Sequence, residues 1–371
     1  MSMKTPAAVL TTCHAGQPFA DSKPIEIREV DLADPTGKMV LVEVMVAGLC
    51  HSDLSVVNGS RERPVPLVLG HEASGRVVKV GPDVQGVAAG DRVTFTFQPA
   101  CGECDLCVDS GGERCAPALE ANVAGTLLHG ERFLSENGEP LFHHSNVAAF
   151  ANFTVVHQSS VIKVDDDVPF EIAALLGCAV ITGGGAVMNA ARVREGERVA
   201  IVGAGGVGLS ALLVARAFGA AVVDVVEPAA SKHEILREFG ATNIVIPDTV
   251  QREHYDVVIE AAGVKPAFEM GVTMLRPGGR LVSVGLPHPD ATAEISILDV
   301  VFKSKQIIGS YHGSGDANED LKVYVDLWRQ GKLELEKLVT KRIGLDGLNE
   351  ALDDLQHARE IRQLIMIGEE K

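Results

Sequence analysis

The run Val199-Ala200-Ile201-Val202-Gly203-Ala204-Gly205-Gly206-Val207-Gly208 constrains the fold of this chain more than any other feature. An apolar strand runs into a glycine loop and then into an apolar helix, Leu209 to Phe218. In that setting Gly203 permits a tight turn, Gly205 lets a pyrophosphate approach the backbone, and Gly208 lets helix pack on strand, with Gly206 and Val207 between them. The helix N-terminus adds unpaired N–H groups and a positive dipole for phosphate.

From about Glu197 onward, strand-like runs alternate with helix-length amphipathic segments, the texture of βαβ units. Six strands are legible: Val199 to Val202, Val222 to Val226, Ile244 to Ile246, Asp256 to Glu260, Arg280 to Val284 and Gln306 to Ser310. Six parallel strands complete a Rossmann dinucleotide-binding sheet. Glu227 closes the second strand, 19 residues beyond Gly208. An acid there accepts ribose hydroxyls and repels a 2′-phosphate, which favours NAD over NADP. Asp224 competes for that role but lies inside the strand run.

The first half of the chain is broken into short apolar runs, Met39 to Ala47, Ala73 to Val80, Arg92 to Phe97 and Asn152 to Val156, with turn residues between. That punctuation predicts a β-rich, partly barrel-like domain. After Ser310 come two helical stretches and the apolar tail Leu364-Ile365-Met366-Ile367, which is expected to return to the first domain as a strand. The expected division is therefore 1–180, a cofactor domain 181–311, and a return segment 312–371.

Lys and Arg number 33 against 50 Asp and Glu, a net charge of −17, which disfavours nucleic acid and anionic membranes as partners. The start holds only Ala7 to Leu10 as an apolar run, too short for a secretion signal, and the chain is expected in the cytoplasm. Four of the seven cysteines, Cys101, Cys104, Cys107 and Cys115, crowd one short loop. In a cytosolic chain that spacing points to a closed tetrahedral Cys₄ site, hence structural zinc. Cys50, His71 and Cys178 would make a three-ligand zinc site with an open position, but from spacing alone the grouping is weak, because a lone buried Cys or His is more often core than ligand.

Gly48 to Asp53, Gly70-His71-Glu72, the four-cysteine lobe, Gly177-Cys178, the Gly203 to Gly208 loop and Ile361-Arg362 stand in an order that resembles the zinc-dependent medium-chain alcohol dehydrogenases. The resemblance covers the whole chain and, with Gly125-Thr126, Pro140 and His143, is similar to the longer liver-type and class III members. It implies a GroES-like catalytic domain, two zinc ions per chain, and NAD. It makes Cys50, His71 and Cys178 the catalytic zinc ligands, Asp53 the partner orienting His71, Glu72 the acid behind the metal, and Ser52 the hydroxyl that receives the substrate proton. Thr182 is expected against the nicotinamide, His51 and Arg362 near the pyrophosphate, Lys232 beside the adenosine ribose, and Phe97 in the substrate wall.

The chain departs from that pattern at Ser55, where liver-type members carry the histidine that ends a proton relay, and at His51, where some relatives carry arginine. The adjacent His143 and His144 read as surface or pocket-wall residues. The implied reaction is oxidation of a primary alcohol, aromatic or polar-substituted, to an aldehyde, and its reverse. Two rivals stand beside it: a reductase of an activated double bond or iminium, and a zinc-stabilised NAD-binding sensor. The sheet edge at Gln306 to Ser310 suggests a homodimer, with a tetramer as the alternative.

Overall fold

Strand Met39–Leu49 is the spine of the first unit of the chain: ten of its eleven residues are buried, so both of its faces carry core side chains. In the computed structural model, which describes residues 2–110 and 114–369, it pairs antiparallel with Glu72–Val80 on one side. Its other side takes Phe153–His157 and then the C-terminal strand Arg362–Met366, with Gln363 opposite Leu49. The apolar tail thus returns to the first domain as its composition predicts. Together with Arg92–Phe95, Val161–Lys163 and Val339–Ile343 these strands make a seven-stranded sheet. A six-stranded sheet built on the antiparallel pair Ser2–Leu10 and Ile25–Ala33 faces the same core, where Val9, Leu32, Leu41, Leu134 and Val155 meet. Two sheets closing on one apolar core give the partly barrel-like, GroES-like domain.

The second unit is a parallel sheet in the order Ile244–Val245, Val222–Val226, Arg198–Val202, Tyr255–Glu260, Leu275–Ser283, Gln306–Gly309. Its strands are Val- and Ile-rich because helices cover both faces of such a sheet. The strand order reverses between Arg198–Val202 and Tyr255–Glu260, the switch point outside which α/β sheets bind their ligands. The glycine loop leaves the sheet at that point.

The first unit comprises Met1–Cys178 and Val339–Lys371, the second Ala179–Leu338. The boundary expected at 311 therefore falls at 338. Helix Ala317–Arg329 stays with the parallel sheet because Tyr324 packs on Gly184, while Asn189 Nδ2 donates to Gly313 O (3.0 Å) and Asp320 Oδ2 (2.7 Å). The helical run Phe170–Ala190 has the length and apolarity to cross a membrane, but 94% of its apolar window is buried inside the protein.

Candidate active site

Three turns deliver Cys50, His71 and Cys178 to one point. Cys50 caps helix His51–Val57: its side chain accepts from the Asp53 N–H, and its own N–H donates to Asp53 Oδ2 at 3.0 Å. Strand therefore becomes helix exactly where ligand and acid are needed three residues apart. His71 follows Gly70, whose φ of +91 turns the chain where a Cβ would strike Phe150. Cys178 lies in a π-helical turn, Leu176–Val180, and a Cβ on its neighbour Gly177 would run into the carbonyl of Phe95. Such π turns are rare and concentrate at functional sites, because the extra residue re-aims a side chain.

All three residues are buried, and their ligand atoms lie within 4.8 Å of one another, with His71 Nε2 3.6 Å from Cys178 Sγ. The shared hydrogen bond between the thiols pulls the Cys50 thiol well below its ordinary pKa and pushes Cys178 well above. Two sulfurs and an imidazole nitrogen hydrogen-bonded to one another form a donor set that a divalent cation completes. Two thiolates and one imidazole suit zinc and leave a fourth position open.

Behind them lies Asp53, wholly buried. Its Oδ1 accepts from Gly70 N–H (3.2 Å), His71 Nδ1 (3.2 Å) and His144 Nδ1 (3.0 Å). Burial opposes its charge, but the two imidazoles hold the carboxyl well below its usual range. With Nδ1 tied to Asp53, Nε2 of His71 is the atom left for a metal. Of the two readings the sequence offered for His143 and His144, surface or pocket wall, the surface one is overturned: both are buried, and the His144 ring stands edge-on to His71 at a centroid distance of 5.2 Å. The turn that brings it in is strained: Ser145, Asn146 and Ala148 have φ of 53, 60 and 59. Left-handed backbone costs non-glycine residues roughly 1–2 kcal/mol each. Asn146 Nδ2, donating to Ala118 O (3.1 Å) and Phe97 O (3.3 Å), and Thr154 Oγ1, donating to Val147 O (2.8 Å), hold the turn in place.

On another side of the site, Glu72 lies against Gly48, where a Cβ would take the space of its carboxylate, and 3.4 Å from Nη1 of Arg362. Burial pushes the Glu72 carboxyl up to about 7 despite that cation. Arg362, expected near a pyrophosphate, also donates to Leu49 O at 3.3 Å. Phe97 meets His71 edge-on at 5.4 Å, Ser52 is half-buried two residues after Cys50, and His51 is exposed. Ser55 Oγ donates to the His51 carbonyl at 2.9 Å.

In the lobe, the four sulfurs of Cys101, Cys104, Cys107 and Cys115 also lie within 4.8 Å of one another, and Cys101 Sγ is 3.7 Å from Cys107 Sγ. A tetrahedron with Zn–S bonds of about 2.3 Å has edges of roughly 3.8 Å. Backbone N–H groups of Glu103 and Cys104 donate to Cys101 Sγ at 3.4 and 3.3 Å. Burial would raise that thiol, but these two donors together with hydrogen bonds from the Cys104 and Cys115 thiols bring it down to about 7, whereas burial pushes Cys115 up to about 12. The site is closed by four like donors, which suits a structural ion.

In the parallel-sheet unit, Gly203 has a φ of +96, and a Cβ on Gly208 would collide with the Gly203 carbonyl. Gly205, by contrast, faces open space: nothing lies within 4 Å of where its Cβ would be. It caps helix Gly206–Ala217, which also carries Val207, so the loop forms an empty cradle at a helix N-terminus. Glu227 accepts from Ala204 N–H (3.2 Å) and Ala229 N–H (2.9 Å), with Lys232 Nζ 3.7 Å away. Asp224, the competitor, points elsewhere and is spent on Asn243 Nδ2 and Tyr255 OH, both at 2.8 Å. Thr182 lies half-buried in helix Ile181–Gly185.

Residues 36–166 match the alcohol dehydrogenase GroES-like domain family and residues 206–329 the zinc-binding dehydrogenase family. The chain is 33% identical over 359 residues to geraniol dehydrogenase of Castellaniella defragrans, covering 92% of this chain and 94% of that one. The chain belongs to the zinc-binding alcohol dehydrogenase family. It is likewise 33% identical over 361 residues to an S-(hydroxymethyl)glutathione dehydrogenase of Escherichia coli, covering 94% and 97% of the two chains. The crystal structure of benzyl alcohol dehydrogenase from Acinetobacter calcoaceticus superposes with a TM-score of 0.90 at 29% identity, over 99% of this chain and all of the other.

Sequence reasoning missed two features of this zinc-binding dehydrogenase. The π turn at Cys178 leaves no periodicity signal in so short a run. His144 reads as a surface or pocket-wall residue, and what escaped was its contact with Asp53; the signal for it lies in Ser145 and Asn146, small polar residues that tolerate a tight turn, and in Asp53, which has more acceptor capacity than one imidazole uses.

Proposed function

We propose that this enzyme oxidises a primary alcohol to an aldehyde with NAD, reversibly, at the Cys50, His71 and Cys178 site. The observation that carries the reading is the convergence of three buried donors, Cys50, His71 and Cys178, with ligand atoms within 4.8 Å of one another; a zinc held by three such ligands keeps a fourth position for substrate. Bound zinc would supply Lewis acidity toward a substrate oxygen, and bound NAD the hydride acceptor.

The chain's own residues do the rest. Asp53 fixes the His71 tautomer so that Nε2 faces the metal. Ser52 takes the substrate hydroxyl proton; Ser55, whose hydroxyl donates to the His51 carbonyl, stands where liver-type members carry the terminal histidine, so beyond Ser52 the proton passes on through water or a neighbouring side chain. Phe97, edge-on to His71, offers an apolar aromatic wall, which supports alcohols with a flat unsaturated group beside the carbinol. The geraniol and benzyl alcohol enzymes among its relatives favour the same class. By the resemblance, members that take a glutathione adduct carry an acid and an arginine where this chain has Arg61 and Leu119, which disfavours that substrate.

The glycine cradle suits a pyrophosphate, and Lys232 and Glu227 suit the adenosine ribose, where Glu227 would repel a 2′-phosphate. Arg362 Nε, buried without a hydrogen-bond partner among the described residues, and His51 are suited to the pyrophosphate, and Thr182 to the nicotinamide.

A homodimer is part of the reading. Gln306–Gly309 is an edge strand, and the helix before it exposes Ile297, Leu298, Val301 and Phe302, the last at 82%. An open edge beside an apolar patch favours pairing with a second copy. Light scattering after size exclusion should give twice 39.2 kDa. The cytoplasm, which keeps thiols reduced, suits a chain whose seven cysteines are all unpaired.

The test is NADH formation by zinc-replete protein across aliphatic, allylic and benzylic primary alcohols, repeated with NADP. Turnover with NAD, and a Glu227→Ser variant whose NAD-over-NADP preference falls at least about tenfold (~1.4 kcal/mol), are expected. Silence across the panel with both zinc ions and NAD bound would overturn the reading.

A further inference from the structure

We propose that His144 is a positioning residue for the metal-facing imidazole, acting through Asp53. The inference rests on the reading of Cys50, His71 and Cys178 as a metal site. Asp53 is the hinge of the argument: its Oδ2 is held by Cys50 N–H, and its Oδ1 takes Gly70 N–H, His71 Nδ1 and His144 Nδ1. The carboxylate therefore touches two of the three ligand residues directly and cannot turn without breaking a bond to one of them.

His144 supplies the shortest of the three contacts to Oδ1, at 3.0 Å against 3.2 Å for Gly70 and for His71. An imidazole donating through Nδ1 to a buried carboxylate is a charge-assisted bond, stronger than an ordinary one. The ring also stands edge-on to His71, so it fills the space into which His71 would swing. Three consecutive features of the chain serve this placement: the left-handed Ser145 and Asn146, and the Asn146 side chain bonded to two carbonyls. A ring that merely filled core volume would need neither a strained turn nor a carboxylate partner. Groups behind a metal ligand that fix its orientation commonly change metal affinity by ten- to hundredfold when removed.

The variants that separate the roles are His144→Phe, which keeps a ring but no donor, and His144→Asn, whose amide N–H replaces Nδ1–H. Each is prepared with cobalt(II) in the Cys50 site and zinc in the lobe. For His144→Phe we expect displaced cobalt d–d bands and release of that cobalt to a chelator about tenfold faster or more, with lobe zinc released at the unmodified rate. His144→Asn should return both readouts toward those of the unmodified enzyme. Bands and release unchanged in His144→Phe, or His144→Asn behaving as His144→Phe does, would overturn the proposal. Should His144→Phe not fold, the ¹⁵N spectrum of the unmodified zinc enzyme decides: His144 protonated on Nδ1 supports the role, and protonation on Nε2 alone removes it. Absence of thiolate-to-cobalt bands in the unmodified protein is a different outcome, which sinks the metal site itself.

Discussion

Oε2 of Glu72 lies 3.4 Å from Nη1 of Arg362, and both side chains are almost wholly withdrawn from water although they come from opposite ends of the chain. Arg362 opens the returning strand Arg362–Met366, and Glu72 opens Glu72–Val80, so strand Met39–Leu49, paired with both, brings them together. Glycine at position 48 leaves room for the carboxylate between them. Removing either partner leaves the other buried without its counter-ion, which for buried pairs costs about 3–5 kcal/mol. Urea unfolding of Glu72→Gln, Arg362→Met and the double variant should show two large single losses and a double loss smaller than their sum by at least about 1 kcal/mol. Strict additivity would mean the two groups do not act as a pair.

The glycine loop allows a sharper test, since its glycines are required for different reasons. Gly205 has extended backbone at φ −92 and ψ −178 and empty space where a Cβ would go, so Gly205→Ala should fold and melt like the unmodified protein in the absence of cofactor. The added methyl occupies the cradle, however, and NAD affinity measured by calorimetry should fall at least about tenfold, ~1.4 kcal/mol. Gly208→Ala drives its Cβ into the Gly203 carbonyl and should lower the melting temperature even without NAD. Identical behaviour of the two variants would remove the distinction.

His143 carries a pH-dependent contribution to stability. It is fully buried, and burial pushes its pKa down to about 4 from an ordinary value near 6.5. The unfolded chain then binds the proton that the folded chain refuses, so stability rises with pH between about 4 and 6.5 and is complete above that range. Going from pH 7.5 to pH 5 should cost about 2 kcal/mol through this group alone. In His143→Phe that share of the loss should disappear, which unfolding curves at the two pH values would show; an unchanged difference would mean the ring finds a proton-accepting partner in the fold.

The two cysteine-based sites should separate in their effects. Cys178→Ser and Cys104→Ser are each expected to lower bound zinc from two to one per chain by elemental analysis. Loss of the open site should abolish turnover while leaving the melting temperature within a few degrees. Loss at the lobe should lower stability first, because Cys107 and Cys115 pack with Ala118 and Leu128 into a small core of their own. A Cys178→Ser enzyme that retained full turnover would exclude the proposed centre.

Local sequence determined the parts of this protein whose signal is periodic or fixed by spacing. The central parallel strands, Arg198–Val202, Val222–Val226 and Tyr255–Glu260, were legible because strands buried on both faces read as near-continuous apolar runs, and the glycine loop because only glycine fits beside Ala262 at Gly203 and against the Gly203 carbonyl at Gly208. The four lobe cysteines were legible because one short loop holds them all. Cys50, His71 and Cys178 were legible only through family resemblance, since their chemistry depends on contacts between residues far apart in the chain. Tertiary structure alone decided the rest. It kept residues 312–338 with the parallel sheet through Tyr324 and Asn189, set Glu227 free of the bonds that occupy Asp224, and re-aimed Cys178 through a π turn. It also brought His144 to Asp53, 91 residues away in sequence. The reason is physical: apolar periodicity records which face of an element is buried, whereas a hydrogen bond between two buried side chains depends on where separate turns of the backbone finally meet.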